Sequence, residues 1–167
     1  MNSDFAKKYG VHNAFLCPFK DSDISWRVGS TNKKKCADGK ATKGIPLAYI
    51  DARDVMKRLD DVVGMANWMD DYKEVKGRII CTLSIKTSDG WVSKCDGAGD
   101  TETEGEKGGI SDAFKRAAVK YGIGRYLYSM PNVWVELDDW GKPKQLPKIP
   151  DNLTQAFFIQ MMQKKEG

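Results

Sequence analysis

Ile79-Ile80-Cys81-Thr82-Leu83-Ser84-Ile85-Lys86 runs into Thr87-Ser88-Asp89-Gly90 and then into Trp91-Val92-Ser93-Lys94-Cys95. In the first run Ile79, Cys81, Leu83 and Ile85 alternate with Ile80, Thr82, Ser84 and Lys86. Successive side chains of an extended chain point to opposite faces, so this period of two is that of a strand. Asp89-Gly90 is a tight hairpin signal, because both residue types tolerate the positive φ angles such a turn needs. The second run then returns as the antiparallel partner. Trp68 to Val75, just upstream, is expected to be a third antiparallel strand, which makes a meander.

Downstream the period changes. Ile110, Ala113, Phe114, Ala117, Ala118 and Tyr121 recur at helical spacing and form one apolar stripe. Thr101-Glu102-Thr103-Glu104 fits a capping box ahead of it. A long helix with this stripe should pack on the sheet. The fold class is therefore α+β, an antiparallel three-stranded sheet covered by a long helix.

Outside that pair of elements the signals are shorter. Ile24 to Val28 alternates as a short strand, and the polar stretch around Lys33-Lys34-Lys35, Asp38-Gly39 and Lys43-Gly44 is expected to be a loop. After Pro46, Asp51 is a candidate N-cap with Asp54 three residues on. Val55, Met56, Leu59, Val62 and Val63 follow on one helix face, and Gly64 is the stop. Val133-Trp134-Val135 suggests a short strand. Pro143, Pro147 and Pro150 make an extended connector to an amphipathic helix over Asp151 to Lys165, with Leu153, Phe157, Met161, Phe158 and Met162 apolar. The chain divides into an N-terminal arm (1–23), a core (24–131) and a strand, connector and helix (132–167).

The 167 residues carry 27 Lys plus Arg against 23 Asp plus Glu. No apolar run approaches the roughly 20 residues that span a bilayer, and Met1 to Lys20 has no apolar core of a signal peptide. A cytoplasmic protein with reduced thiols is expected. Cys17, Cys36, Cys81 and Cys95 contain no CxxC pair, and His12 is the one histidine, so no metal site is expected. No GxxxxGK[ST] motif is present, and Gly97-Ala98-Gly99 has Glu102 where a dinucleotide loop needs glycine. No cofactor is expected.

The small net charge hides segregation. Residues 1–58 hold 12 basic and 6 acidic side chains, residues 59–106 hold 5 and 11, and residues 107–130 hold 5 and 1. Basic blocks around an acidic middle suit a polyanion. On the helix, Lys115, Arg116 and Lys120 fall opposite the apolar stripe, and the same arithmetic puts Gly105, Gly108 and Gly109 with them. Glycines there lower helix propensity by about 1 kcal/mol each. Either they let another element pack close, or they let a sugar-phosphate backbone approach while the cations hold its phosphates. Lys107 and Arg125 extend the patch, and Lys33, Lys34, Lys35 and Lys43 are candidates for a basic flap or for a disordered surface loop. Tyr126 and Tyr128 could stack on bases or sit half-buried. One enzyme reading stands beside this: Asp96, Asp100, Glu102, Glu104 and Glu106, with the Glu74-Val75-Lys76 triplet, suggest a metal-dependent nuclease. Another is a single-strand coating protein that stacks bases and does not anneal.

Taken in order, Tyr49-Ile50-Asp51-Ala52-Arg53-Asp54-Val55, Gly64 with Trp68, the Asp89-Gly90 hairpin, and Ser111-Asp112-Ala113-Phe114-Lys115-Arg116-Ala117 with Tyr121-Gly122 resemble the Rad52/Rad22 family of single-strand annealing proteins. The short phage and bacterial members are the most similar, over roughly residues 24–131. The resemblance implies a β-β-β-α core, ring-shaped homo-oligomers, a groove for single-stranded DNA, and annealing in recombination and repair without ATP or bond-making chemistry. It implies that Lys115 and Arg116 grip the DNA backbone and that Arg53 is the basic position early in the first core helix. A phage exonuclease or a single-strand-binding protein is a candidate partner. Val119 departs from the family, where eukaryotic members have a further Arg, with Lys120 beside it. No long C-terminal tail is among these 167 residues, so the recombinase-loading contacts of eukaryotic members are not expected of them.

Overall fold

The computed structural model describes residues 3–33, 40–98 and 106–165. The chain forms two compact units: Met1–Cys17 with Asp51–Arg125, and Pro18–Ile50 with Tyr126–Gly167. Among the described residues there are two antiparallel three-stranded sheets and five α-helices.

The first unit holds the expected meander. Strands β3 (Trp68–Val75), β4 (Arg78–Thr87) and β5 (Gly90–Gly97) lie in sheet order β3-β4-β5, with β4 in the middle. Tyr72 and Asp96 flank Cys81, Asp70 and Lys94 flank Leu83, and Trp68 and Val92 flank Ile85. These rows share one sheet face, because residues two apart on a strand point the same way. Helix α4 (Glu106–Val119) packs on β4 and β5. Ala113, Phe114, Ala117 and Ala118 are buried as the stripe requires, whereas Ile110 remains exposed. The expected capping box at 101–104 lies outside the described residues.

Helix α3 (Ala52–Val63) begins where Asp51 N–H donates to Asp54 Oδ2 at 2.8 Å, and it ends at Gly64, whose φ of +90° suits glycine. Its buried side includes Val55, Leu59 and Val62. The beginning of the chain contributes α1 (Ser3–Tyr9) and α2 (Val11–Leu16), with Ala14, Phe15 and Cys17 buried and His12 exposed. Arg58 of α3 is only 4% exposed. Its Nη1 donates to the carbonyls of Ala14 (3.0 Å) and Cys17 (2.6 Å), groups at the end of α2 with no helical partner of their own. Trp68 and Phe114 bring their rings to 6.0 Å.

The second unit corrects one expectation. Lys43 and Gly44, read as loop, open strand β2 (Lys43–Tyr49). It pairs with β1 (Ser25–Thr31) on one side and with β6 (Val135–Glu136) on the other. The sequence concealed β2 because Gly44 and Pro46 are poor strand formers. Pro46 is tolerated because β6 pairs only with Lys43 and Gly44, so no ladder bond is asked of the proline on that side. The last helix, α5 (Gln155–Lys164), starts after a 3-10 turn at Asp151–Leu153, later than expected. Thr154 caps it by accepting from Phe157 N–H at 3.3 Å. Met162 is its buried residue, while Phe157 and Met161 stay exposed.

Candidate nucleic-acid interface

Lys94 and Asp96 share the face of β5 that meets α4; Arg116 lies in the last turn of α4, and Lys120 four residues on, in the turn that follows it. Packing the helix on the strand brings the four together. Arg116 Nη2 sits 3.2 Å from Asp96 Oδ1, and Lys120 Nζ sits 3.6 Å from Asp96 Oδ2. Lys120 Nζ also donates to the Cys95 carbonyl. Lys94 Nζ donates to the Lys120 carbonyl at 2.8 Å and lies 4.7 Å from the centre of the Tyr121 ring. The Tyr121 hydroxyl shares its proton between the carbonyls of Leu83 (2.8 Å) and Val92 (2.7 Å), which locks the end of α4 to the sheet.

Two cations thus hold one carboxylate, and a third, Lys94, is tied to the same corner through the Lys120 carbonyl and the Tyr121 ring. Burial works against the charge of Asp96, but the Gly97 N–H, Arg116 and Lys120 outweigh it and hold its carboxyl below the ordinary value. Burial likewise pushes the Tyr121 hydroxyl up to about 12. The side chains of Arg116 and Lys120 are each nearly half exposed, so both cations remain within reach of a second anion.

Arg125 joins this corner. Its Nε and Nη2 donate to the Val119 carbonyl, and Nη2 also to that of Lys120, at 2.9–3.0 Å. The Val119 carbonyl, which also accepts from Gly122 N–H at 2.9 Å, and that of Lys120 lie at the negative end of the α4 dipole, so Arg125 and Lys94 cap it electrostatically. Lys115 is half-buried one residue from Arg116, which rotates it about 100° around the helix axis. It does not join the Asp96 cluster as described. Arg53 is exposed in the first turn of α3.

The glycine surface needs correction. A Cβ on Gly109 would meet Ile79 Cγ1 of β4 at 3.5 Å, so this glycine faces the sheet and not the outer surface. Together with the fully buried Ala113, Ala117 and Ala118 it lets the helix lie close on the strands. Gly108 is half-buried. Gly105, Lys34, Lys35 and the side chain of Lys107 lie outside the described residues. Lys43 is exposed at the start of β2 in the second unit. There too, Tyr126 accepts from Phe19 N–H at 3.1 Å, and Tyr128 is exposed.

The carboxylates of the nuclease reading are differently used. Asp96 is held by cations, and Lys76 leaves the strand for the β3–β4 turn, with φ of 51°. Asp100, Glu102 and Glu104 are outside the described residues. Among the described residues no three metal-ligating side chains converge, and no helix is long and apolar enough to cross a membrane. Sequence reasoning missed Lys94, Asp96 and Tyr121 as one constellation. The signal was present: two charged residues two apart on a strand, and two cations four apart at the end of the helix that covers it.

The profile of the Rad52/22 family double-strand break repair protein matches residues 10–145. The single-stranded DNA-binding protein DdrA of Deinococcus radiodurans is 33% identical over 144 residues, which cover 84% of this chain and 66% of that protein. The DdrA of Deinococcus deserti is 34% identical over 149 residues, 87% of this chain and 68% of that protein. The chain spans about two thirds of the length of these curated relatives. No solved structure matches it. With its profile match running from the second helix past the second sheet, and with both relatives aligned over most of its length, the chain belongs to the Rad52/22 family.

Proposed function

We propose that this protein binds single-stranded DNA and anneals it to its complement in recombination and repair, without ATP and without making or breaking covalent bonds. The observation that carries this reading is the excess of cations at the end of α4. Arg116 and Lys120 pair with Asp96, and Lys94 and Arg125 donate to the carbonyls beside them. The relatives named as single-stranded DNA-binding proteins support it.

Annealing requires phosphates to be held and strand repulsion lowered while base edges stay available. Cations on a rigid helix and strand meet that requirement, because they grip the backbone and carry no base preference. Asp96 keeps Arg116 and Lys120 extended and parallel before the DNA arrives, and an incoming phosphate then shares them. A single such site is weak. Repeating it around a homo-oligomeric ring or along a filament places neighbouring sites at high effective concentration on one strand. Lys115, Lys107 and Arg53 of the same unit belong to the proposed path as further backbone contacts.

The test is the Lys115→Ala, Arg116→Ala double variant. Its circular dichroism and mass should match the parent, while binding to a labelled oligothymidylate and annealing of complementary strands fall at least tenfold. Unchanged binding would move the site elsewhere. Suppression of duplex formation by the parent would favour the coating protein, and metal-dependent shortening of the strand would favour the nuclease.

A further inference from the structure

The second unit displays a tryptophan in an unusual way. Trp140 is 87% exposed, at the tip of the turn between Asp138 and Lys142. The turn is well pinned. Asp138 Oδ1 accepts from the N–H groups of Trp140 (2.9 Å) and Lys142 (2.8 Å), Gly141 N–H donates to the Asp138 carbonyl (3.0 Å), and Asp138 N–H donates to that of Lys142 (2.8 Å). Gly141, at φ of +76°, closes it. An indole held in solvent by four hydrogen bonds has already lost the backbone freedom that binding would otherwise cost.

On the same unit lies a groove of about 420 Å3 between β6 and the returning segment, within the range of occupied small-molecule pockets. Trp134, Leu146 and Pro147 supply its apolar lining, and Lys144 N–H bonds to the Glu136 carbonyl across it at 2.9 Å. Trp134 and Leu146 are each about half exposed. The charges around this surface are already matched: Lys144 pairs with Glu136 at 3.4 Å and Lys148 with Asp151 at 2.9 Å. Residues 133–151 hold three lysines and four carboxylates. This balance does not attract a polyanion, and it suits a protein surface of the same composition.

We propose that Trp140 of one copy inserts into the Trp134–Leu146–Pro147 groove of a second copy. This inference rests on the homo-oligomer put forward above and assigns its contact. Projection and groove sit at different places on one chain, and we take them to face different neighbours, the heterologous arrangement that a ring or filament needs and a two-fold pair lacks. Each copy offers a projection to one neighbour and a groove to the other, the arrangement that closes into a ring or extends as a filament. Aromatic anchors seated in pockets dominate such interfaces.

The experiment compares the full-length chain with Trp140→Ser and Leu146→Glu by native mass spectrometry and light scattering. Both residues are exposed, so unchanged circular dichroism is expected. The parent should form assemblies and each variant alone should collapse to monomer. An equimolar mixture of the two variants should give a one-to-one pair and stop there, because only one intact projection and one intact groove remain. A Trp140→Ser protein with the mass of the parent would overturn the contact while leaving the oligomer standing. A parent monomeric at all micromolar concentrations would overturn both. Loss of DNA binding with unchanged mass would make Trp140 a base-stacking residue and would also overturn the contact.

Discussion

Asp96 Oδ1 on β5 lies 3.2 Å from Nη2 of Arg116 on α4, twenty residues away in the chain, and its other oxygen lies 3.6 Å from Lys120 Nζ. This carboxylate is both the organiser of the basic corner and a competitor for any phosphate that reaches it.

Asp96→Asn should therefore separate these two roles. A half-exposed pair is worth roughly 0.5–1 kcal/mol, so affinity for an oligothymidylate should rise about two- to fivefold at low salt, read by fluorescence anisotropy. Weaker binding would mean that orientation of the cations outweighs competition.

The same residue sets part of the acid response. Its native pKa is depressed, so its contribution to stability is complete above the ordinary carboxylate value of about 3.9 and is lost as pH falls through the lower native value. The difference in urea unfolding between parent and Asp96→Asn should be constant above about pH 5 and change as pH falls below the ordinary carboxylate value through the depressed native one. A constant difference across that range would show that Asp96 has an ordinary pKa.

Salt dependence measures the cations directly. Each phosphate contact on a single strand contributes about −0.7 to the slope of log affinity against log salt. Arg116→Ala and Lys120→Ala should each flatten the slope by about that amount, alike for all base sequences. A change confined to certain sequences would mean that these side chains read bases.

Arg58 is a stability residue. Arg58→Ala would leave the Ala14 and Cys17 carbonyls without their buried donor and open space beneath α2. A loss of roughly 2–4 kcal/mol is expected in urea unfolding, with DNA affinity per folded molecule unchanged. Arg58→Lys should recover only part of it, since one ammonium cannot replace the guanidinium fork.

Tyr121 reports on the α4 corner. Its hydroxyl is pushed up to about 12, so ultraviolet titration should show it still neutral at pH 11, together with Tyr72, whose hydroxyl is raised by burial and by its bond to Asp70; Tyr121→Phe should remove one of the two. The raised native value also means that stability falls as pH climbs from about 10, where the unfolded tyrosine ionises, through 12. Tyr121→Phe should abolish this alkaline component.

The meander, the α3 boundaries and the buried stripe of α4 were determined locally. Alternation at Ile79–Ile85, the Asp51–Asp54 box, the Gly64 stop and the spacing from Ala113 to Ala118 each express a period or a cap that a few neighbouring residues establish. The order of these motifs was enough to suggest the family. What tertiary structure decided was every relation between distant segments. Strand β2 exists because β1 and β6 pair with it, despite Gly44 and Pro46. Gly109 faces β4 because the helix rolls until its smallest residues meet the sheet. Arg58 is buried because α2 ends beside it, and Lys94, Asp96, Arg116 and Lys120 form one site because a helix crosses a strand at that point. A linear pattern records which side chains share a face; the packing of two faces determines which of them meet.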